Sequence, residues 1–242
     1  MITKLIPDIN ADDFIFKTHL KFGDDIGSSI LEKVNSDRDY FERRYKYNDG
    51  LDYNKTKQLI STIGLAKTKE LQRRKNQIEK YFPGEKFISF KQYFCGEYFD
   101  ELIMNSLPDF VKELKTDTTR PILQISDSDG DAGILPPHCG HERISSLFCL
   151  LQGSGQETRW YAETEPFELI DPFHIPDLDK VKPAVSVVLE PGIWYVFNHR
   201  AWHSVHKFST LGLPRVNYGI DFTNISAPDL VKIIKQHENS SN

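Results

Sequence analysis

From Arg120-Pro121 onward the chain breaks into short β-rich runs, PILQIS, ISSLFCLLQ, ETRWYAE, FELI, AVSVVLE, GIWYVFN, SVHKF and RVNYGIDF, separated by Gly, Pro, Asp and Ser. Eight such runs over about residues 120 to 223 fit a closed or sandwich-like β architecture. Two cues favour a barrel with a working mouth. EPGIWYVFN sets a Pro-Gly turn before a strongly aromatic strand, and histidines fall at the ends of the runs. In ETRWYAE and GIWYVFN the pairs Trp160/Tyr161 and Trp194/Tyr195 occupy alternate faces, so one of each pair turns inward as core.

The flanks read as helices bracing that core. KTKELQRRKNQIEKYF (67–82) carries Leu71, Ile78 and Phe82 at near-helical spacing and stops at Pro83-Gly84. EYFDELIMNSLPDFVKELK is a second helix, interrupted at Pro108 with Asp109 placed to cap a restart. Residues 36–55 read as loop with some helix. APDLVKIIKQHE is a closing helix, capped by Ser226 or Asp229, ahead of a polar tail. The expected organisation is a single domain: a helical elaboration over 1–119, a β core over 120–223, and a C-terminal helix and tail over 224–242. The fold class is α+β, mainly β.

Charge and cysteine usage narrow the function classes. Thirty basic and 35 acidic residues are mixed along the chain for a net charge of -5, which gives no basic face for nucleic acid. No apolar run approaches the roughly 20 residues that span a bilayer, and MITKLIPDINADDF lacks a charged segment followed by an apolar one. The expectation is a soluble cytoplasmic protein with no nucleic-acid or membrane partner. Cys95, Cys139 and Cys149 form no CxxC pair, so reduced thiols are expected and zinc-ribbon chemistry is excluded. SDSDGDAG (126–133) has the composition of a calcium loop but lacks the Glu at its twelfth position, and reads as a solvated lid.

Of eight histidines, five (His138, His141, His199, His203, His206) lie in two windows, LPPHCGHERISSLF and FNHRAWHSVHKF. Imidazoles offered from two rigid strands, with positions left open for small ligands, suit a divalent transition metal. His138 follows the stiff pair Pro136-Pro137 and His203 follows an aromatic strand, so these two are the candidate ligands. His19, His174 and His237 read as ordinary surface or hydrogen-bonded imidazoles. Cys139 reads as a small turn residue.

The order LPPH, Arg143 five residues on, a strand, PGIWYVFNHRAWHSVH, and Arg215 opening RVNYGIDF resembles the iron(II)/2-oxoglutarate-dependent dioxygenase superfamily over about residues 121 to 223. The resemblance implies a double-stranded β-helix, the jelly-roll or cupin-like barrel. It implies His138 and His203 as ligands of Fe(II), and Arg215, 12 positions after His203, as the anchor of the 2-oxoglutarate carboxylate. A guanidinium presents the planar fork that such a carboxylate takes bidentately. The activity implied is hydroxylation of a C–H bond in a small molecule or an amino-acid or peptide substrate. Arg143 is a candidate catalytic residue contacting a substrate or co-substrate carboxylate; its plain alternative is an ion pair with Glu142 or Asp131. His206, 9 positions before Arg215, competes with His203 for the distal place. In RVNYGIDF, Arg215, Asn217 and Gly219 share one face and Val216, Tyr218 and Ile220 the other, which leaves Arg215's direction open.

The sequence departs from the family at one place. Where the pattern has Asp or Glu two positions after the first histidine, this chain has Gly140. Three readings compete: iron held by two histidines, as in the family's halogenases and its aspartyl/asparaginyl β-hydroxylase branch, whose PH-x-G stretch is similar to PHCG here; Glu142 or His141 reaching the metal; or a degenerate site that only binds a ligand. The β-hydroxylase-like reading ranks first. A non-catalytic cupin-like metal- or ligand-binding module is the alternative from another class, although His138-x-x-His141 differs from the His-x-His of cupins. An isomerase or epimerase on such a barrel is a third, with no base identified.

Overall fold

The β-rich runs pair as strands in two sheets that face each other. The computed structural model describes residues 1–37, 45–48, 65–87, 90–93, 96–114, 120–126, 133–140, 143–153, 155–169, 175–208 and 215–240. Strands are β1 (Ile2–Lys4), β2 (Ile15–Lys21), β3 (Tyr45–Asn48), β4 (Lys86–Phe87), β5 (Phe90–Tyr93), β6 (Arg120–Ser126), β7 (Gly133–His138), β8 (Ser145–Gln152), β9 (Glu157–Glu163), β10 (Val181–Val188), β11 (Ile193–Asn198), β12 (Trp202–Phe208) and β13 (Arg215–Phe222). Helices are α1 (Asp24–Ser36), α2 (Leu65–Tyr81), α3 (Gly96–Ser106), α4 (Asp109–Leu114) and α5 (Ala227–Ser240). Sheet I runs β1-β10-β9-β12-β7-β4 and sheet II runs β2-β11-β8-β13-β6-β5-β3. The pairings are antiparallel except for the short β4–β7 ladder. The protein is thus mainly β, two sheets with a few helices.

Because strands alternate faces, each sheet has an inner and an outer layer. Phe148, Leu150, Tyr195 and Phe197 of sheet II meet Trp160, Val185 and Val187 of sheet I in the gap between them. Their chain neighbours Leu147, Cys149, Trp194 and Val196 point outward, into a larger apolar cluster with Ile30 of α1, Ile103 of α3, Val111 of α4 and Ile234 of α5. Sheet II is therefore covered on both faces, which is why β13 is buried along its whole length. It is also why both Trp194 and Tyr195 are buried despite facing opposite ways. On the outside of sheet I, Leu71 and Ile78 of α2 pack on Tyr161 and Trp202. Trp160 faces inward and Tyr161 outward.

Three points of the sequence reading need correction. FELI is not a strand: Phe167 lies against Trp202 with ring centroids 5.6 Å apart, and the carbonyl of Glu168 accepts from the buried Arg74 at 2.5 Å. Residue 170 lies outside the described residues. Within 120–223 the strand missing from the sequence reading is β7, GILPPH, whose two prolines disguise it because proline withholds the N–H that a ladder uses. Residues 1–119 are also not purely helical, since β1 and β2 extend the two sheets beside β10 and β11 and β5 continues sheet II from β6. Of 36–55, Tyr45–Asn48 is strand β3, while 38–44 and 49–55 lie outside the described residues, as do 127–132 of the acidic loop and Cys95.

Local signals elsewhere hold. The helix read over 67–82 runs Leu65–Tyr81 ahead of Pro83-Gly84, and the second breaks at Pro108 into α3 and α4. Ser226 caps α5: its Oγ accepts from the backbone N–H of Asp229 at 3.2 Å and donates to that residue's carboxylate at 2.6 Å. The turn before β11 needs Gly192 for its φ of 78°, and the glycine N–H closes onto Leu150 O at 2.8 Å. No described helix is long and apolar enough to cross a membrane.

Candidate functional site

Alternation along β12 separates the two histidines that competed for one role. His203 lies directly across from Trp160 of β9 and His138 of β7, on the inner face. His206, three residues on, turns to the outer face, where its Nε2 meets Ser204 Oγ at 2.7 Å and its ring lies 5.6 Å from that of Phe82. The same alternation turns Cys139 away from His138: it packs with the outer cluster of Tyr161 and Trp202, and burial pushes its thiol up to about 11. Cys139 and His206 are therefore on the wrong side of sheet I to join an ion at His203.

His138 and His203 are cross-strand neighbours with ring centroids 4.3 Å apart. Each ring is tethered in the same way. His138 Nδ1 lies 2.8 Å from Pro136 O and His203 Nδ1 lies 2.9 Å from Ala201 O. A carbonyl oxygen only accepts, so both Nδ1 atoms carry the proton and both Nε2 atoms carry the lone pair. Such a backbone tether is the arrangement that orients ligating histidines in metal proteins. His203 is buried, and desolvation followed by the proximity of His138 drives its pKa well below 6.5. The imidazole stays neutral at physiological pH, the state a metal requires.

Gly140 packs tightly against His199. Its N–H donates to His199 O at 2.6 Å, and a Cβ built at 140 would sit 2.9 Å from His199 Cβ and 3.1 Å from Arg143 O. The first atom of any side chain there collides with a neighbour that cannot swing away. Where the family pattern has an acid, the chain is thus held as glycine against the backbone and Cβ of His199, a residue to which the sequence reading assigned no role. His199 is buried, its Nε2 lies 2.8 Å from Ser146 Oγ and 3.8 Å from Asp221 Oδ1, and its ring centroid stands 5.8 Å from that of His203. Desolvation, then the charges of Arg143, His203 and His138, hold its pKa well below 6.5. The pointers to it in the sequence were the paired histidine windows and the glycine at 140. Arg143 pairs with Asp221 at 3.5 Å, while Glu142 and Asp131, the partners named for its ion-pair reading, lie outside the described residues.

Arg215 faces inward. Across β13 and β8 the register sets Asp221 beside Ser146, Gly219 beside Phe148 and Asn217 beside Leu150, so the Arg215, Asn217, Gly219, Asp221 face looks into the gap between the sheets. The guanidinium carbon lies 5.8 Å from the centre of the Phe148 ring, and burial pushes its pKa down to about 10, so it remains a cation. From Phe148 the contacts continue to Phe197 at 5.5 Å and from Phe197 to His203 at 4.9 Å. An aromatic floor thus joins the cation to the imidazole pair. Trp160 Nε1, Asn217 Nδ2 and His199 Nδ1 are buried in this interior with no hydrogen-bond partner among the described residues. Native proteins leave few buried polar atoms unmet, which sets these three apart from the rest of the interior.

No protein-family model and no curated protein matches the chain. Solved structures similar to it include a Pseudomonas putida prolyl-4-hydroxylase, at 11% identity over 88% of this chain and 93% of that one with a TM-score of 0.44. An L-ribose isomerase mutant from Acinetobacter sp. DL28 is similar at 15% identity and a TM-score of 0.35, over 58% of this chain and 61% of that one. The vicilin of hazelnut, Corylus avellana, follows at 9% identity and 0.30, over 59% and 31%. The chain thus spans less than two thirds of the isomerase and nearly the whole hydroxylase.

Among the described residues no three His, Cys, Asp or Glu side chains converge on one metal position. The donor set suits a transition ion held by two imidazoles, whose remaining positions go to water or small ligands. His141 and Glu142, the other candidates for a third ligand, lie outside the described residues. Of the remaining histidines, His19 pairs with Glu238 at 2.7 Å and His237 stacks on Phe110 at 3.7 Å, while His174 is outside the described residues.

Proposed function

We propose that the core is a double-stranded β-helix and that the protein is an iron(II)- and 2-oxoglutarate-dependent oxygenase, hydroxylating a C–H bond of a small molecule or of an amino-acid or peptide substrate. The strand order supports the fold: β11-β8-β13-β6 in one sheet faces β10-β9-β12-β7 in the other, so the chain winds back and forth between them. The observation that carries the function is the inward His138–His203 pair, each Nδ1 tied to the carbonyl two residues before it. His138 and His203 would hold the iron, which when bound supplies oxygen activation. Arg215 would bind the 2-oxoglutarate carboxylate inside the gap, where low dielectric strengthens the pairing. Arg143, fixed by Asp221, would meet a carboxylate of substrate or co-substrate, and Phe148 and Phe197 would keep water out of the space between. A small ligand in the cytoplasm, rather than a nucleic acid or a membrane, is the partner this interior suits.

The test is anaerobic addition of Fe(II) and 2-oxoglutarate to the full chain. A visible metal-to-ligand charge-transfer band, lost in His203→Ala and weakened in Arg215→Ala, is the expected result. No band in the wild-type protein sinks the proposal. The second reading, a cupin-like metal- or ligand-binding module without turnover, draws on the filled space at Gly140, which supplies no acid. Tight metal with no succinate formed across a broad substrate panel would select it.

A further inference from the structure

We propose that His199 is a positioning residue of the interior site, holding through a water molecule the ion carried by His138 and His203. The inference rests on the two-histidine metal reading above. Three observations carry it. His199 Nε2 is engaged by Ser146 Oγ at 2.8 Å with the Asp221 carboxylate 3.8 Å away, and a nearby carboxylate favours the proton on that nitrogen. Nδ1 then keeps the lone pair, and it is buried with no partner among the described residues. The backbone on either side is pinned, since Gly140 N–H donates to His199 O and His199 N–H donates to Ile144 O at 3.2 Å, so the ring is preset rather than free to swing.

The geometry favours contact through water over direct ligation. The His199 and His203 centroids are 5.8 Å apart against 4.3 Å for the His138–His203 pair, and among the described residues no three such side chains converge. A water on the ion can donate to the Nδ1 lone pair at little cost, because it is ordered by the ion already. Gly140 and His199 are in this sense one device. A Cβ at 140 would meet His199 Cβ at 2.9 Å and His199 O at 3.2 Å, so glycine at 140 is what lets the chain carry His199 this close.

Equilibrium titration of the full chain with Co(II) tests the proposal. His203→Ala should lose binding, whereas His199→Ala should weaken it on the order of 10-fold to 100-fold, the range for residues that orient rather than ligate. Affinity within about twofold of wild type, or a loss as complete as that of His203→Ala, overturns it. Absence of Co(II) binding by the wild-type chain, or its retention in His203→Ala, overturns instead the two-histidine reading beneath it. Should His199→Ala fail to fold, nitrogen NMR of histidine-labelled wild-type protein with and without Zn(II) decides. The His199 Nδ1 resonance should move on Zn(II) addition while its Nε2 holds; unmoved His199 resonances count against the proposal.

Discussion

The two sides of sheet II are both buried and are built from opposite materials. Outward, under α1, α3, α4 and α5, lie aliphatic and aromatic residues such as Ile30, Ile103, Trp194 and Tyr218. Inward, the same strands present Ser146, Asn217, Asp221 and Arg215 among Phe148, Leu150 and Phe197. A β-sandwich ordinarily reserves its most uniform apolar layer for the space between the sheets. Here that layer has moved outside, beneath the helices, and the gap carries imidazoles, a guanidinium and a carboxylate. Burying such groups costs free energy unless they are met. The contrast teaches that the apolar burial that stabilises the sheet lies mainly in the outer cluster, while the inner one carries the polar groups on which the proposed function draws.

The sharpest test of that division is Trp194→Ala, which empties the outer cluster where the ring lies 4.7 Å from Phe22 and 6.2 Å from Tyr218. It should cost about 3–5 kcal/mol in denaturant unfolding. A loss under about 1 kcal/mol would show that the helices are not what holds sheet II. Next in size is Gly140→Ala, expected to cost about 1–3 kcal/mol through the contact with His199 Cβ. His199→Gly in the same chain should return part of that loss, and strict additivity of the two would disprove the proposed exclusion.

A smaller effect comes from pH. Burial, then the charge of Arg159, pushes His206 down from 6.5 to about 4. Between those values the unfolded chain binds a proton that the native one refuses, so stability rises with pH through the window. It is lost as pH falls below 6.5, by at most about 1.4 kcal/mol per unit for this group. The buried His199 and His203 act in the same direction. Chemical unfolding across that range, with His206→Gln as the shallower control, measures it, and a flat wild-type profile refutes it. The smallest effect is expected at Asn217→Leu. Its Nδ2 has no partner among the described residues, so an apolar replacement of similar volume should leave stability unchanged or raise it by about 1 kcal/mol. A clear loss would mean that the inner polar face serves folding rather than ligand.

Much of this was legible in the chain itself, for local reasons. Turn residues delimit the strands, Pro108 splits α3 from α4, and Ser226 with Asp229 announces α5. The errors have local reasons as well. FELI has strand composition, but its backbone is taken up by Arg74, a side chain 94 positions earlier. GILPPH looks unlike a strand because two of its residues lack an N–H. The short strands of the first half are assembled by neighbours far along the chain, and residues such as Ile2–Lys4 carry little signal of their own.

By itself the sequence determined the β-rich second half, the bracing helices, and the small set of histidines and arginines from which any site had to be drawn. These follow from periodicity, turn chemistry and residue type, all properties of neighbours along the chain. Only the tertiary structure decided that His203 rather than His206 faces His138, that Arg215 looks inward, and that His199 closes on Gly140. Facing depends on which side of a strand becomes the inside, and that is set when the two sheets close on each other. An alternation of two leaves both choices open until the opposite sheet arrives.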